Sequence, residues 1–262
     1  MATLFRVFLF CFLAISASVR AAGPALSGGE LDRIGKRIWK SECDGTVEGL
    51  TSWNAGEEFP SLGIGHFIWY PSGYQGPFEE SFPKLLAWYR ERGVGLPEWL
   101  EQARGCPWPT RAAFIKDHDG ARQKQLRALF SNTIREQVLF IIHRLHESTP
   151  QYREAAGRAW PRVERNLALM EASAAGNFAL IDYINFKGTG LNPKERYKGE
   201  GWGLLQVLME MEAPDAGSAP AAFGVAATRL LERRVANSPP ERGENRWMQG
   251  WRNRCAAYGG KF

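Results

Sequence analysis

Beyond Ser27, apolar residues recur at helical spacing: Leu31, Ile34 and Ile38 fall on one face, while Arg33, Lys36, Arg37 and Lys40 take the other. Ser27 and Glu30 form a capping-box pattern and Gly45 stands where a helix stops, so the spacing predicts a helix with Glu42 at its C-terminal end. Over 51–71 the period changes to two. Asn54-Ala55-Gly56 is a turn signal, and Leu62, Ile64, Ile68 and Tyr70 alternate as on a strand, which predicts a small hairpin or three-stranded antiparallel sheet. Helices are then predicted over 83–92, 133–147 (with Thr133 and Glu136 as a second capping box), 161–174, 178–187 and 202–211. The run 213–220 reads as a flexible connector, a helix through Leu230 and Leu231 follows, Pro239-Pro240 breaks it, and a last helix covers roughly 241–257. The expected class is mainly α, an α+β fold with a small antiparallel sheet; 71–131 yields no placement.

The first 22 residues read differently. Arg6, an apolar run over 7–15 and small residues up to Ala21 and Ala22 form a secretory signal pattern, too short for the ~20 residues of a membrane span. Cys11 lies inside the apolar run and not behind it, which argues against a lipoprotein. The protein is therefore expected to be secreted or periplasmic, without stable membrane insertion once the signal is cleaved. The expected organisation is a signal peptide over 1–22 and one domain over 23–262. Within it, 23–75 carries the helix and sheet, 76–175 a helical insert, and 176–262 a C-terminal helical lobe.

Loss of Arg6 and Arg20 lowers the net charge from +5 to +3, mildly basic and without a basic block, so nucleic-acid binding is not indicated. Cys43, Cys106 and Cys255 remain, enough for at most one internal bridge, and the pair cannot be read from the sequence. Asp117-His118-Asp119 and the pair His143/His146 have metal-ligand chemistry but no recognised spacing, so neither a metal nor another cofactor is expected.

Cleaving a glycosidic bond requires a carboxylic acid that keeps its proton, and usually a second carboxylate. The C-terminal end of a helix carries partial negative charge and disfavours ionisation of a carboxyl group placed there. Glu42 has that setting, and some twenty residues later comes FPSLGIGHFIWY (59–70). A helix ending in glutamate, a turn-rich hairpin and a Ser-x-Gly-Ile-Gly-His segment together resemble the phage-type lysozymes, muramidases of the lysozyme superfamily that hydrolyse peptidoglycan.

The resemblance implies a two-lobed lysozyme-like fold, peptidoglycan as partner, Glu42 as the acid, and Ser61 as the hydroxyl that helps place the attacking water. FALIDYINFKGTG (178–190), GWGLLQVLMEM (201–211) and WMQGWRNRCAAY (247–258) resemble the family's central helix, its glycine-containing turn and its final Arg-rich helix. On this footing Asn185 is a candidate for hydrogen bonding the glycan or its peptide, and Arg252 for an anionic group of the wall. Gly63 and Gly65 share a face with Ser61, where glycine marks close approach by a ligand or backbone. His66 falls on the opposite, apolar-rich face and reads as a structural histidine. Trp53 and Trp69 flank the segment and are candidates for sugar contact. The family's hairpin aspartate is missing: Ala55 stands there, leaving Glu57 as the second carboxylate and Asp44 and Glu48 as weaker choices. Three alternatives follow: a lytic transglycosylase needing one glutamate, a non-catalytic wall-binding module, and a cysteine peptidase with Cys43 and His66 as a dyad.

Overall fold

A computed structural model describes residues 26–76, 78–193 and 195–262; the signal read at 1–22 lies outside them. Helix α1, Gly28–Cys43, starts where the capping box put it. Glu30 N–H donates to Ser27 Oγ and Ser27 N–H to Glu30 Oε2, and the chain leaves the helix through Asp44 in a left-handed conformation. The buried face is Leu31, Ile34, Gly35 and Ile38, packed against α6, Ile134–Glu147, and α9, Ala174–Lys187.

Three two-residue strands follow: β1, Thr51–Ser52, β2, Ser61–Leu62, and β3, Phe67–Ile68, antiparallel in the order β1-β2-β3. Ser61 faces Ser52 on one side and Ile68 on the other. Gly63-Ile64-Gly65-His66 is therefore the turn joining β2 to β3, where a continuous strand was expected. Gly63 and His66 both have positive φ, +67° and +47°, which reverses the chain. Apolar alternation alone cannot separate a strand from a tight turn that buries one side chain, and Ile64 is that side chain.

The next stretch holds four helices: α2, Phe82–Glu91, which matches the helix predicted over 83–92, and three without a sequence assignment, α3, Glu98–Glu101, α4, Arg111–Lys116, and α5, Ala121–Asn132. They enclose an aromatic cluster in which Trp69 packs on Phe82, Trp99 and Trp108, and Trp53 on Phe114. The capping box at Thr133 does not form. Only this residue separates α5 from α6, so its backbone is bent (φ −120°, ψ 26°), its hydroxyl donates to Leu129 O, and Glu136 pairs with Arg92.

Helix α7, Thr149–Ala156, leads to α8, Trp160–Glu171, and then to α9, which is buried along most of its length and forms the axis of the C-terminal part. Gly188 ends α9. The turn after it anchors α10, Leu204–Glu210, by hydrogen bonds from Leu204 and Leu205 N–H to Gly188 and Thr189 O. Between them lies an unforeseen hairpin of β4, Arg196–Tyr197, and β5, Glu200–Gly201. The run read as a flexible connector is tied down, with Arg165 donating to Ala213 O at 2.8 Å and Asp215 capping Ser218 N–H at 2.9 Å. Helix α11, Ala219–Asn237, packs on α12, Met248–Ala256, which is shorter than expected because 240–242 and 244–247 are 3-10 turns. Most of the buried apolar residues form one cluster from Leu31 to Tyr258, and among the described residues no helix is long and apolar enough to cross a membrane.

Candidate active site

Glu42 sits where three parts of the chain meet: the end of α1, the β2–β3 turn, and helices α9 and α12, which are joined there by Asp182 and Arg254. Its side chain is only 12% exposed. Arg254 of α12 donates from Nη2 to Glu42 Oε1, while Glu42 Oε2 faces His66 Nδ1 at 3.7 Å. Arg254 also makes two bonds of 2.8 Å to Asp182 of α9, which accepts a further 2.6 Å bond from the Tyr258 hydroxyl. Burial by itself would lower the Arg254 pKa, but the hydrogen bonds and charge of Asp182, with those of Glu42, raise it above its ordinary value, so the guanidinium stays charged. Tyr258 is held protonated by burial and by the neighbouring Asp182 charge, and serves as a fixed donor. The Arg254 guanidinium stacks 4.3 Å from the Phe186 ring centroid.

His66 thus departs from the expected apolar setting. Its positive φ turns the ring toward the end of α1, between the Glu42 carboxylate and Cys43 Sγ, 3.9 Å from Nε2. The Cys43 thiol is nevertheless poorly suited to nucleophilic attack. Burial, followed by the charges of Glu42 and Asp44, pushes its pKa up to about 12, so thiolate is scarce at neutral pH. Cys43, Cys106 and Cys255 are all buried free thiols, without the bridge that the sequence allowed.

The other candidates scatter. Ser61 is buried, with its carbonyl accepting from Ser52 Oγ at 3.4 Å. Gly63 and Gly65 face inward: a Cβ on either would collide with Phe67, and on Gly63 also with Gln137 Oε1, which accepts the Ile64 N–H at 2.9 Å. The two glycines therefore accommodate protein atoms. Trp69 is 2% exposed, its ring enclosed by other aromatics, so it offers no free face to a sugar.

Trp53 is also buried, and its indole N–H donates to Glu57 O at 2.7 Å. It borders a groove with Glu57, Tyr74 and Arg111, in the β1–β2 loop region. The Glu57 carboxylate accepts from Asn54 Nδ2 and is not among the groups that contact Glu42. Asp44 and Glu48 are exposed. Asn185, one turn beyond Asp182, has a buried Nδ2 without an acceptor, an arrangement costing about 1–3 kcal/mol unless a ligand or water satisfies it. Arg252 points away and pairs with Glu232 on the surface.

Asp182, Arg254 and Tyr258 were not singled out from the sequence. No local signal separated the two arginines: Met248, Trp251 and Cys255 mark the buried face of α12, and helical spacing places Arg252 no farther from that face than Arg254. Of the residues with metal-ligand chemistry, Asp117 accepts from Trp108 Nε1 at 2.8 Å, while His143 and His146 face Glu147 and Glu171. Among the described residues no group of three such side chains converges. Comparison with protein-family models, curated proteins and solved structures finds no match for this chain.

Proposed function

We propose that the protein cleaves the glycan strands of peptidoglycan on a lysozyme-like fold, outside the cytoplasm, with Glu42 as the proton donor. The observation that carries this reading is the mostly buried Glu42 carboxylate, fixed through one oxygen by Arg254 and presenting the other toward His66. An acid anchored through one oxygen keeps the second in a defined direction for transfer to a glycosidic oxygen. The order of parts also supports it: an acid-bearing helix, a small antiparallel sheet and a helical C-terminal part that closes on the acid.

A single-acid variant of this chemistry has its own support. Glu57 does not contact Glu42, and Asp182 is committed to Arg254 and Tyr258. With Glu57 and Asp182 both engaged elsewhere, attack by the sugar's own 6-hydroxyl, releasing an anhydro sugar, is the favoured second reading.

The deciding experiment is digestion of purified peptidoglycan by wild type and Glu42→Gln, with mass analysis of released muropeptides. Release falling about 10²–10⁴-fold in the variant, with the variant still folded by circular dichroism, is expected. Reducing-end products identify a hydrolase and anhydro products a transglycosylase. Intact glycan with the wild-type protein would remove the catalytic reading and leave a wall-binding module.

A further inference from the structure

Behind Phe186, on the side of α9 away from Asp182 in sequence, lies a second polar pocket of about 380 Å³, lined by Lys187, Glu195, Tyr197, Trp202, Arg234 and Arg242 among others. Lys187 Nζ lies 3.6 Å from the Trp251 ring centroid and 4.0 Å from that of Phe186. Among the described residues it has no carboxylate partner within ion-pair distance. Arg234 and Arg242 are engaged by Glu244, a carboxylate with no exposed surface, and Arg234 also stacks 4.1 Å from the Trp202 ring centroid. Glu195 stands at the pocket wall, hydrogen-bonded to Asn192. Arg254 and Cys255 approach from α12.

We propose that this pocket is a binding site for a singly charged carboxylate, received by the Lys187 ammonium between aromatic walls. On the wall stand three cationic side chains, Lys187, Arg234 and Arg242, against Glu195, with Glu244 behind the two arginines and Arg254 committed to Asp182 and Glu42, a balance that fits one negative charge and disfavours a dianion such as phosphate. The ammonium has donors to spare, because rings, not acceptors, surround it. Burial, then the charge of Arg234, lowers Lys187 to about 7, so its proton is loosely held until an anion arrives. A carboxylate bound against it restores the ordinary preference for the charged form, and binding above pH 7 therefore takes up a proton.

Two sources share this chemistry: the free carboxylate of a peptide, such as the stems borne by wall glycan, and a small free organic acid. Calorimetric titration of the purified protein with N-acetyl-D-alanyl-D-alanine, with its C-terminal amide, with acetate and with inorganic phosphate separates them. The acid is expected to bind about tenfold or more tightly than its amide, with phosphate weaker than either carboxylate. Lys187→Gln should erase the acid-over-amide difference. In wild type, heats compared across buffers should show proton uptake on binding at pH 8 and none at pH 6. Acetate binding as tightly as the peptide acid assigns the pocket to small acids; a clear preference for the peptide acid assigns it to peptide ends. Equal binding of acid and amide, tighter binding of phosphate, or no binding of either carboxylate at about 10 mM overturns the proposal. Muropeptide release tests the glycan reading separately: release without carboxylate preference removes the pocket, and carboxylate preference without release leaves the pocket and removes the glycan reading.

Discussion

Asp182 and Glu244 are both buried carboxylates gripped by arginine and by a tyrosine hydroxyl, yet they are wired to different ends. Among the described residues the donors to Glu244 are Arg234, Arg242 and Tyr197, all from the C-terminal quarter of the chain, and both of its oxygens are taken. Asp182 holds Arg254 from the same region, but that arginine then reaches back to Glu42, 212 residues earlier, and leaves one oxygen of Glu42 facing a half-buried histidine. A closed cluster fixes the fold. An open one, in which a buried acid orients an arginine that orients a second and more accessible acid, positions a reactive group.

The sharpest way to break that comparison is Arg254→Met, which strands Asp182 in the interior. Removal of one partner from a buried pair costs about 3–5 kcal/mol, so urea unfolding should show a loss of that size. An unchanged midpoint would mean that Asp182 is not held by Arg254.

Glu244→Ala comes next, at about 3 kcal/mol, since Arg234 keeps its aromatic stacking and Arg242 is exposed. This one carries a pH signature. Burial would raise the Glu244 pKa, but the hydrogen bonds from Arg234 and Tyr197 and the Arg234 charge outweigh it and bring the carboxyl to about 2. A carboxyl depressed in the folded state stabilises above its unfolded value and loses that contribution as pH falls through the folded one. The gap between wild type and Glu244→Ala should therefore narrow between the ordinary glutamate range and about pH 2, read from urea midpoints at each pH.

Lys187→Met works in the opposite direction, raising stability by about 1 kcal/mol at pH 6. The unfolded lysine keeps its proton up to its ordinary value of 10.5, while the folded one releases it near 7, so wild-type stability climbs between those pH values. The advantage of the methionine variant should shrink and then reverse over the same window, and an advantage constant from pH 6 to 10 would show that Lys187 is not desolvated. Smallest of all, Arg252→Gln breaks an exposed pair with Glu232 and should move the unfolding free energy by no more than about 0.5 kcal/mol. A loss as large as that of Arg254→Met would erase the distinction drawn between the two arginines.

Local order was largely legible. The Ser27–Glu30 box, the end of α1, the small sheet and the helical C-terminal part follow from side chains that interact within a few residues of one another. Three local readings failed where a neighbour intervened, the 213–220 connector held by Arg165 among them. At Thr133 the preceding helix ends one residue earlier and removes the room that a cap needs. At 63–66 the alternation Leu62, Ile64 suggested strand, while the positive φ of Gly63 and His66 made a turn against Gln137. Trp69 read as a sugar contact because it adjoins the site in sequence, but Phe82, Trp99 and Trp108 enclose it.

The sequence by itself determined where α1 begins and ends, that the sheet is small, and that Glu42 stands at a helix terminus, because capping, turn chemistry and periodicity act over a handful of residues. Only the tertiary structure decided that Arg254 and not Arg252 meets that glutamate, that His66 turns toward it, and that Lys187 lies among aromatic rings. Those contacts join residues far apart in the chain, and the choice between two arginines on one short helix depends on how it rotates against α9 and α11, which no local pattern records.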